Sequence, residues 1–284
     1  MILVTGATGN VGGLLCDALQ NRKVAKQGFV RAMSRPIHAS DRRFDFLDAG
    51  TFAPALDGIK QVFLVRPPAL AKPNKDMAPF LRACKTAGVE QIVFLSLQGA
   101  DKNTWTPHAK IEQLIRDLSL DYTYLRPSFF MQNLTMQHAR EIRERSEIFA
   151  PAGHGKTNFI DARDIADVAA LVLTTPNHLG QAYELTGSQG FSYSEVAQML
   201  SAQLNRQVVY AKPGLLRYIA RQLSQGTPLG FALVTSVIYS IARLGKANHY
   251  SPELETLLAR PPRTLAAFIK EHSAVWTTIK ASPQ

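Results

Sequence analysis

The amino-acid sequence predicts an α/β fold, a doubly wound parallel sheet with a smaller, mostly helical carboxyl-terminal lid. Short apolar runs alternate with segments of helical spacing as far as about residue 186, and helical patterns dominate from Ser194 onward. Strands that alternate with helices favour a parallel sheet covered on both faces. We therefore expect a sheet domain over residues 1–150, with a strand and a helix returning at about 157–186, and a helical lid over residues 187–284.

The expected elements follow from the period of the apolar residues and from the glycines and prolines that interrupt it. The expected strands are Met1–Val4, Phe29–Ser34, a short strand ending near Asp45–Asp48, Gln61–Val65, Gln91–Leu97, Tyr122–Arg126 and Gln181–Thr186. The expected helices include one that starts after Gly12, Asn74–Gly88, Asp161–Leu173, Leu215–Leu223 and Phe231–Leu244. The apolar spacing of the last two predicts burial within the chain, with a lid over the substrate, a dimer contact or another partner surface as alternatives.

Composition limits the class of protein. The 284 residues are 46% hydrophobic, which suffices for one large core, alone or with a small second lobe. The longest apolar stretch, Pro228–Ala242, contains Thr235, Ser236 and Ser240 and is too short to cross a bilayer, so no membrane partner is expected. Cys16 and Cys84 provide neither a disulfide framework nor metal-ligand spacing. These features favour a cytoplasmic protein.

The net charge of +10 and the pI of about 9.7 raise the question of nucleic-acid binding. The basic residues are scattered, and the densest run, Arg140–Arg145, alternates with Glu141 and Glu144. No nucleic-acid-binding motif is present. We expect no nucleic-acid partner, and the charge is better explained by attraction of anionic ligands such as a nucleotide phosphate.

The segment after the first apolar run has the spacing of a dinucleotide-binding turn. Gly6, Gly9 and Gly12 separate a strand from a helix, which is the context that this fingerprint requires. Gly6 permits a sharp turn, Gly9 lets the backbone approach a pyrophosphate, and Gly12 lets the helix pack closely on the strand. A purely structural turn is the alternative. The pattern predicts a Rossmann-like sheet whose cofactor contacts are Gly6, Thr8, Gly9, Asn10, Val11 and Gly12.

The end of the second strand indicates which cofactor is bound. An NAD site places an acid about 20 residues beyond the glycine turn, where it accepts from the ribose hydroxyls. This chain instead has Arg31 and Arg35, with no acid before Asp41. A guanidinium matches a 2′-phosphate in charge and geometry, so NADP(H) is favoured over NAD(H), and Arg35 is the better placed residue. A solvated arginine is the alternative.

Other strand ends supply further candidates, because ligands bind at the carboxyl ends of parallel strands. Val65 ends the fourth strand. Asp45 is positioned to accept from an adenine amino group and Phe46 to flank the ring. Asp48 is better explained as a helix cap, and capping alone also accounts for this pattern.

Several motifs in a fixed order resemble the NmrA-like branch of the atypical short-chain dehydrogenases, which includes quinone oxidoreductases and triphenylmethane reductases. The resemblance covers about residues 1–190 and extends to a short motif near the end. It rests on Gly6–Gly12, Arg35, Ile92–Ser96, His108–Gln113, Tyr124–Pro127, Phe130–Asn133, Asp161–Val168, Tyr183–Gly187 and Arg260–Thr264.

The resemblance implies a role for Lys110. Larger relatives use a Tyr-x-x-x-Lys pair to protonate a developing alkoxide, and Lys110 stands in the lysine position. Thr106 replaces the tyrosine, and threonine is not acidic near neutral pH. We expect Lys110 to be the catalytic residue in the sense that it holds the nicotinamide ribose, with an ordinary exposed lysine as the alternative.

The missing tyrosine also narrows the substrate. A quinone that accepts hydride forms a stabilised anion, so a weak acid or water suffices as its proton donor. A flat, electron-poor compound is therefore a better candidate substrate than a ketone or a sugar. Phe129 and Phe130 are expected to stack on it and Asn133 to donate to it, with core packing and local capping as alternatives. His108 is considered as a proton donor, although an ordinary surface position is favoured.

The sequence therefore predicts an NADPH-dependent reductase of a small molecule, without flavin and without metal. A homodimer is left open. The alternative function is a non-catalytic NAD(P) sensor that acts through protein partners, since some relatives bind the nucleotide without known turnover.

Overall fold

Amphipathic helices and apolar strands alternate along the computed structural model, which describes residues 1–21 and 28–277. The strands of the described chain are β1 (Ile2–Val4), β2 (Phe29–Met33), β3 (Arg42–Arg43), β4 (Gln61–Val65), β5 (Gln91–Leu95), β6 (Tyr122–Pro127), β7 (Phe129–Phe130), β8 (Glu147–Ile148), β9 (Lys156–Ile160), β10 (Gln181–Leu185), β11 (Gly190–Ser192) and β12 (Val209–Tyr210).

The helices of the described chain follow the same order. They are α1 (Asn10–Asn21), α2 (Phe52–Leu56), α3 (Pro73–Asp76), α4 (Ala78–Thr86), α5 (Pro107–Asp117), α6 (Ala139–Arg145), α7 (Ala162–Thr174), α8 (Tyr193–Leu204), α9 (Leu215–Ser224), α10 (Leu229–Arg243), α11 (Glu253–Leu258) and α12 (Leu265–Glu271). Short 3₁₀ helices cover Ala49–Thr51, Met131–Asn133 and Ser273–Trp276.

The chain passes more than once between two units. The first unit contains Met1–Pro127, Ala162–Leu185 and Glu253–Arg260, and the second contains Ser128–Asp161, Thr186–Pro252 and the residues from Pro261 onward. These bounds differ from the expected ones: residues 128–150 belong to the second unit, because β7 leaves the large sheet and pairs with β9. Residues 253–260 belong to the first unit, because Arg260 forms ion pairs with Asp164 and Asp167 of α7.

The first unit is built on a parallel sheet of seven strands in the order β10-β6-β5-β4-β1-β2-β3. This is the doubly wound order with one further strand beyond β6, and it confirms the predicted fold class. Its helices form two groups: α7 contacts both α1 and α11, and α4 contacts α2, α3 and α5. The central strands are buried on both faces, as their continuous apolar sequences predict.

Two elements of the first unit differ from the expectation. The third strand ends at Arg43 and not near Asp48, because Asp48 accepts a hydrogen bond from the Gly50 N–H (3.0 Å) and starts the first 3₁₀ helix. The predicted helix Asn74–Gly88 is interrupted at Met77. Proline near the start of both α3 and α4 explains the interruption, since Pro79 has no N–H to continue the preceding turn.

The second unit has smaller sheets. The strands β11, β9 and β7 form a three-stranded sheet, and β12 pairs with β8. Its core combines apolar residues from all of its described helices and from several strands, including the fully buried Trp276, whose indole N–H donates to the Leu134 carbonyl (2.9 Å). A capping box fixes the start of α8, in which Ser192 and Glu195 bond to each other's backbone N–H.

The prediction that α9 and α10 are buried within the chain is wrong for much of their surface. Leu216 is 84% exposed and Val237 is 63% exposed, whereas Tyr218 and Tyr239 on the inward faces are 4% exposed. Within the described chain, no helix combines the length and the apolar character needed to cross a membrane.

Candidate functional site

The glycine turn after β1 has the geometry that a phosphate-binding turn needs. Gly6 has a φ of +62°, which favours glycine. A Cβ on Gly12 would lie 2.2 Å from the Gly6 carbonyl oxygen. Only glycine at this position therefore lets α1 approach the turn so closely. The N–H of Gly9 donates to the Gly6 carbonyl (2.8 Å), and α1 begins at Asn10. The turn therefore directs the amino end of a helix to the carboxyl edge of the sheet.

The other turn residues divide into exposed and buried ones. Thr8, Gly9 and Asn10 are exposed, whereas the Val11 side chain is 3% exposed and packs in the core. Only the backbone of Val11 is thus available to a ligand, which is the form of contact that a helix amino terminus provides to a phosphate.

Val65 is held beside this turn. The Thr5 hydroxyl donates to the Phe63 carbonyl (2.9 Å) and accepts from the Val65 N–H (2.8 Å), which joins the end of β1 to the end of β4. A Cβ on Gly6 would lie 3.1 Å from the Val65 Cβ. The structure therefore brings these two predicted cofactor residues to one place.

The structure distinguishes the two arginines of the second strand. Arg31 forms a bidentate pair with Asp41, with 2.8 Å from Nε to Oδ1 and 3.0 Å from Nη2 to Oδ2. Burial of Asp41 opposes ionisation, but bonds from the His38 and Ile37 N–H groups and from Arg31 lower its pKa to about 2. Arg31 is therefore already paired, and Asp41 is not available to a ribose.

Arg35, unlike Arg31, is not part of an ion pair with a described residue. Its side chain is exposed and makes no hydrogen bond or ion pair with any residue in the described part of the chain. It lies just beyond the carboxyl end of β2, which is the neighbour of β1 in the sheet. Of the two candidates for a 2′-phosphate, Arg35 is the one with a free guanidinium.

Phe46 loses its predicted role. Its ring is 8% exposed and packs edge-on against Phe44 and Phe80, with centroids 4.7 and 5.4 Å apart. It is a core residue, so the prediction that its ring flanks an adenine has no support. Asp45 is exposed and accepts from the Leu47 N–H (2.9 Å), which leaves its adenine contact a prediction.

The loop after β4 contains a residue that the sequence analysis did not select. Arg66 Nη1 donates to the carbonyls of Pro67, Pro68 and Leu70 at 3.0 to 3.1 Å. Its buried Nε has no hydrogen-bond partner among the described residues, and burial lowers the pKa of the guanidinium. A charged residue at a strand end before two prolines was the signal that could have identified it.

The start of α5 explains the threonine in the tyrosine position. The Thr106 hydroxyl accepts from the Ala109 N–H (3.2 Å) and donates to the Asn103 carbonyl (3.1 Å), so it caps the helix. Lys110 lies one turn further on, is exposed, and its ammonium has no partner in the described part of the chain. The helix thus presents a free cation and no acidic hydroxyl.

His108 is neither a surface histidine nor a cationic proton donor. Its ring is partly buried and stacks on Phe94, with the centroids 6.0 Å apart. Burial, reinforced by the positive charge of Arg66, lowers the pKa of His108 to about 3. The imidazole is therefore neutral at physiological pH.

A buried polar network anchors α5, the helix that carries Lys110. The Glu112 carboxylate is 1% exposed, accepts from the Ser96 hydroxyl (2.6 Å), and forms a bidentate pair with Arg126 at 3.1 and 2.7 Å. The network joins the ends of β5 and β6 to α5, which fixes the helix that carries Lys110. The signal that could have revealed it is an acid on the apolar face of a helix.

The predicted substrate residues lie in the second unit. Phe129 and Phe130 form β7 and are partly exposed, while Met131 beside them is 1% exposed and belongs to the core. Asn133 is partly exposed, and its side chain has no hydrogen-bond partner among the residues that the structure describes. All three predicted side chains are thus reachable from solvent, and their contact with a substrate stays a prediction.

The acids at the start of α7 are structural. Asp164 is fully buried and bonds to Arg260 (2.8 Å). Asp161 accepts from the Gln132 side chain (3.0 Å). Within residues 1–21 and 28–277, no group of three or more His, Cys, Asp or Glu side chains has the arrangement of a metal site.

A cleft of about 450 Å³ opens at the amino-terminal edge of the large sheet, beside Lys60, Gln61, Glu90 and Gln91. Lys60 and Glu90 form an ion pair of 2.7 Å there. The cleft lies at the opposite ends of the strands from the glycine turn, so it is not part of the candidate site.

Comparisons with known proteins show what the whole chain is similar to. The model of the NmrA-like family matches residues 1–268. The chain is 35% identical over 288 residues to NAD(P)H azoreductase of Xenophilus azovorans, covering 97% of this chain and 99% of the relative.

Two solved structures are similar over their whole length. The NADPH complex of an Escherichia coli NADPH-dependent quinone oxidoreductase has a TM-score of 0.87 at 27% identity, covering 96% of this chain and 100% of that one. The NADP(H) complex of Citrobacter sp. triphenylmethane reductase has a TM-score of 0.83 at 26% identity, covering 95% and 99%. Given the family match over most of its length, the chain belongs to the NmrA-like family.

Proposed function

We propose that this protein is an NADPH-dependent oxidoreductase that reduces a quinone-like or other flat, electron-poor small molecule. The observation that carries the proposal is a pair of exposed cations, Arg35 and Lys110, on the carboxyl edge of the sheet that also bears the glycine turn; neither has a partner within residues 1–21 and 28–277. Relatives named as NAD(P)H azoreductase and quinone oxidoreductase support it. The alternative of a non-catalytic sensor has no support in the comparisons.

The residues of the edge fit NADP(H). The glycine turn has no Cβ where a pyrophosphate approaches, and Arg35 offers a planar cation to a 2′-phosphate. The acid that follows, Asp41, is already bonded to Arg31, which further favours NADP(H) over NAD(H). The exposure of the Lys110 ammonium supports its proposed role as a donor to the nicotinamide ribose.

Bound NADPH supplies a hydride, and the chain then has to position the partners and exclude water. The neutral His108 and the capping Thr106 provide no strong acid, which suits a substrate whose reduced form is a stabilised anion. Phe129 and Phe130 provide rings for stacking, and Asn133 provides an amide donor. We propose that neither flavin nor metal takes part, that the reaction is cytoplasmic, and that no nucleic acid is involved; a homodimer stays a prediction.

The test combines turnover with binding. Loss of the reduced-nicotinamide absorbance is followed with a panel of quinones, azo dyes and triphenylmethane dyes, and NADPH binding is titrated through the fluorescence of Trp105, which is 85% exposed in the loop before α5. Lys110→Ala should weaken NADPH binding by about tenfold or more, as the loss of a charged hydrogen bond requires. The matched control is Lys60→Ala, at the opposite edge of the sheet, which should leave binding unchanged.

The outcomes separate the alternatives. Turnover that depends on Lys110 supports the reductase. Tight NADPH binding with no turnover of any acceptor would contradict the reductase and restore the sensor. Equal NADPH binding by Lys110→Ala and the wild type would remove Lys110 from the site.

A further inference from the structure

Helix α10 has small and hydroxyl-bearing side chains inside and large apolar side chains outside. Its buried face contains Thr235, Ser236 and Tyr239, each 4 to 6% exposed, together with the fully buried Ala232 and Ala242. Its outward face is formed by Phe231, Val234, Val237, Ile238, Ile241 and Leu244, which are 38 to 71% exposed. A surface helix normally shows the reverse distribution.

This arrangement leaves a continuous apolar stripe in water. The outward residues recur at intervals of three, four and seven, so they line one side of the helix along its length. An exposed apolar patch of this kind marks a surface that contacts something apolar. The inward hydroxyls are meanwhile satisfied, since Thr235 and Ser236 donate to carbonyls one turn earlier. The helix is thus stable in its place with the apolar side outward.

Helix α9 lies against α10 and also exposes leucines. The Tyr218 hydroxyl donates to Thr235 (3.1 Å), which sets α9 beside α10 as an antiparallel hairpin over residues 215–243. Leu223 and Leu229, at the closed end of this hairpin, are 43% and 55% exposed. No charged residue occurs from Gln222 to Ala242. The closed end is therefore uncharged and exposes two leucines.

The open end of the hairpin is basic. Residues 196–252 contain six Lys or Arg residues and no Asp or Glu. Two of these cations are engaged, Arg206 with the Ile142 and Trp276 carbonyls and Arg221 with Glu147. The other four, Lys212, Arg217, Arg243 and Lys246, are exposed. The hairpin thus combines an apolar outward face on α10 with exposed cations at its open end.

We propose that the outward face of the α9–α10 hairpin docks on an anionic lipid surface. Apolar side chains beside exposed Lys and Arg match a bilayer whose acyl region takes the former and whose anionic headgroups neutralise the latter. A second copy docked through the same face complements this surface less well, because residues 196–252 supply no carboxylate for its cations. The proposal revises the expectation that the protein has no membrane partner.

The experiment measures partition of the full chain onto vesicles by flotation. The vesicles are pure phosphatidylcholine, or phosphatidylcholine with about one third phosphatidylglycerol. The apolar contribution is tested by Val234→Thr with Val237→Thr, which keep the side-chain shape and should weaken binding about tenfold. The basic contribution is tested by Arg243→Gln with Lys246→Gln, which should weaken binding roughly thirtyfold. Light scattering gives the oligomeric state of each variant, and thermal unfolding shows that each is folded.

Matched controls carry the same changes elsewhere. Ile37→Thr with Leu179→Thr removes two other exposed apolar side chains, 71% and 52% exposed. Arg82→Gln with Lys60→Gln removes the same charge from the first unit. Both controls should bind as the wild type does.

The proposal predicts binding to the anionic vesicles alone, lost in both hairpin variants and kept in the controls. Binding that depends on the cations but not on Val234 and Val237 is simple adsorption and would overturn it. A dimer that does not bind vesicles and that the valine changes dissociate would assign the face to a second copy. A monomer that binds no vesicle would also refute the proposal.

Discussion

In the first unit, the cations that we propose to bind the cofactor lie exposed at the edge of the sheet, whereas in the second unit helix α10 buries hydroxyl groups and exposes an apolar face. Arg35 and Lys110 of the first unit are exposed and have no partner among the residues that the structure describes. In the second unit His138 and Tyr239 are both 4% exposed and bond to each other, with 2.8 Å between Nε2 and the hydroxyl.

Topology explains why sequence patterns indicate candidate ligand residues in the first unit but not in the second. A parallel sheet places its ligand edge by topology, so exposed charges at strand ends can be identified from the order of elements. No corresponding topological rule locates ligand residues in the second unit.

The buried cluster around His138 and Tyr239 also includes Glu141 and Tyr193. Burial raises the pKa of both Tyr193 and Tyr239, which keeps these phenols neutral.

The largest expected effect tests the first unit. Gly12→Ala would place a Cβ 2.2 Å from a backbone oxygen, and the turn has to move. We expect the added Cβ to cost about 3 kcal/mol in the free energy of NADPH binding or of folding. The cost would be seen as about a hundredfold weaker NADPH binding or as a lower unfolding midpoint. The neighbouring Gly13→Ala, whose Cβ would lie 3.3 Å from the Ala7 carbonyl oxygen, is the matched control. If both variants bind NADPH equally well, the close approach at Gly12 is not what shapes the turn.

The second prediction tests the inverted polarity of the second unit. Tyr239→Phe leaves the His138 Nε2 buried without its partner and should lower the free energy of unfolding by about 2 kcal/mol. Val237→Thr on the outward face of the same helix should change it by less than about 0.5 kcal/mol. Urea unfolding of both variants gives the comparison. Equal costs at the two positions would show that the two faces of α10 are not in different environments.

Much of the fold could be predicted from the sequence, because β1, β4, β5 and β6 are apolar runs bounded by clear turn residues. Their observed bounds agree with the expected ones within one or two residues. The interruption at Met77 was missed because a helical apolar period continues across it, and only the local effect of Pro79 stops the helix.

The site was less predictable, because pairing between residues distant in space decides which side chain is free. Arg31 and Arg35 look alike in the sequence, and only the fold shows that Arg31 bonds to Asp41. In the same way, Phe46 follows a strand but turns into the core, where it packs against the rings of Phe44 and Phe80. The sequence indicated a candidate edge of the sheet but not which of its side chains are already paired.

The third prediction sharpens the contrast between the two arginines. Arg35→Gln removes a free guanidinium, so NADPH should bind about tenfold more weakly while NADH binding stays the same. Arg31→Gln breaks the pair with the buried Asp41, so it should lower stability without a preference between the two cofactors. Titration of each variant with both nucleotides, beside thermal unfolding, separates these effects. Equal weakening of NADPH and NADH by Arg35→Gln would exclude Arg35 from the 2′-phosphate site.

The smallest effect concerns the partly buried His108. Its burial, reinforced by the positive charge of Arg66, lowers its pKa from an ordinary value of 6.5 to about 3. Below pH 6.5 the unfolded chain binds a proton that the folded chain does not, so stability falls as the pH falls towards 3. Between pH 7 and 5.5 this amounts to about 1 kcal/mol. His108→Gln removes that part of the slope, and urea unfolding across this range should show the variant's curve as flatter than that of the wild type. Parallel curves would mean that His108 titrates alike in both states, and it would then return to consideration as the proton donor.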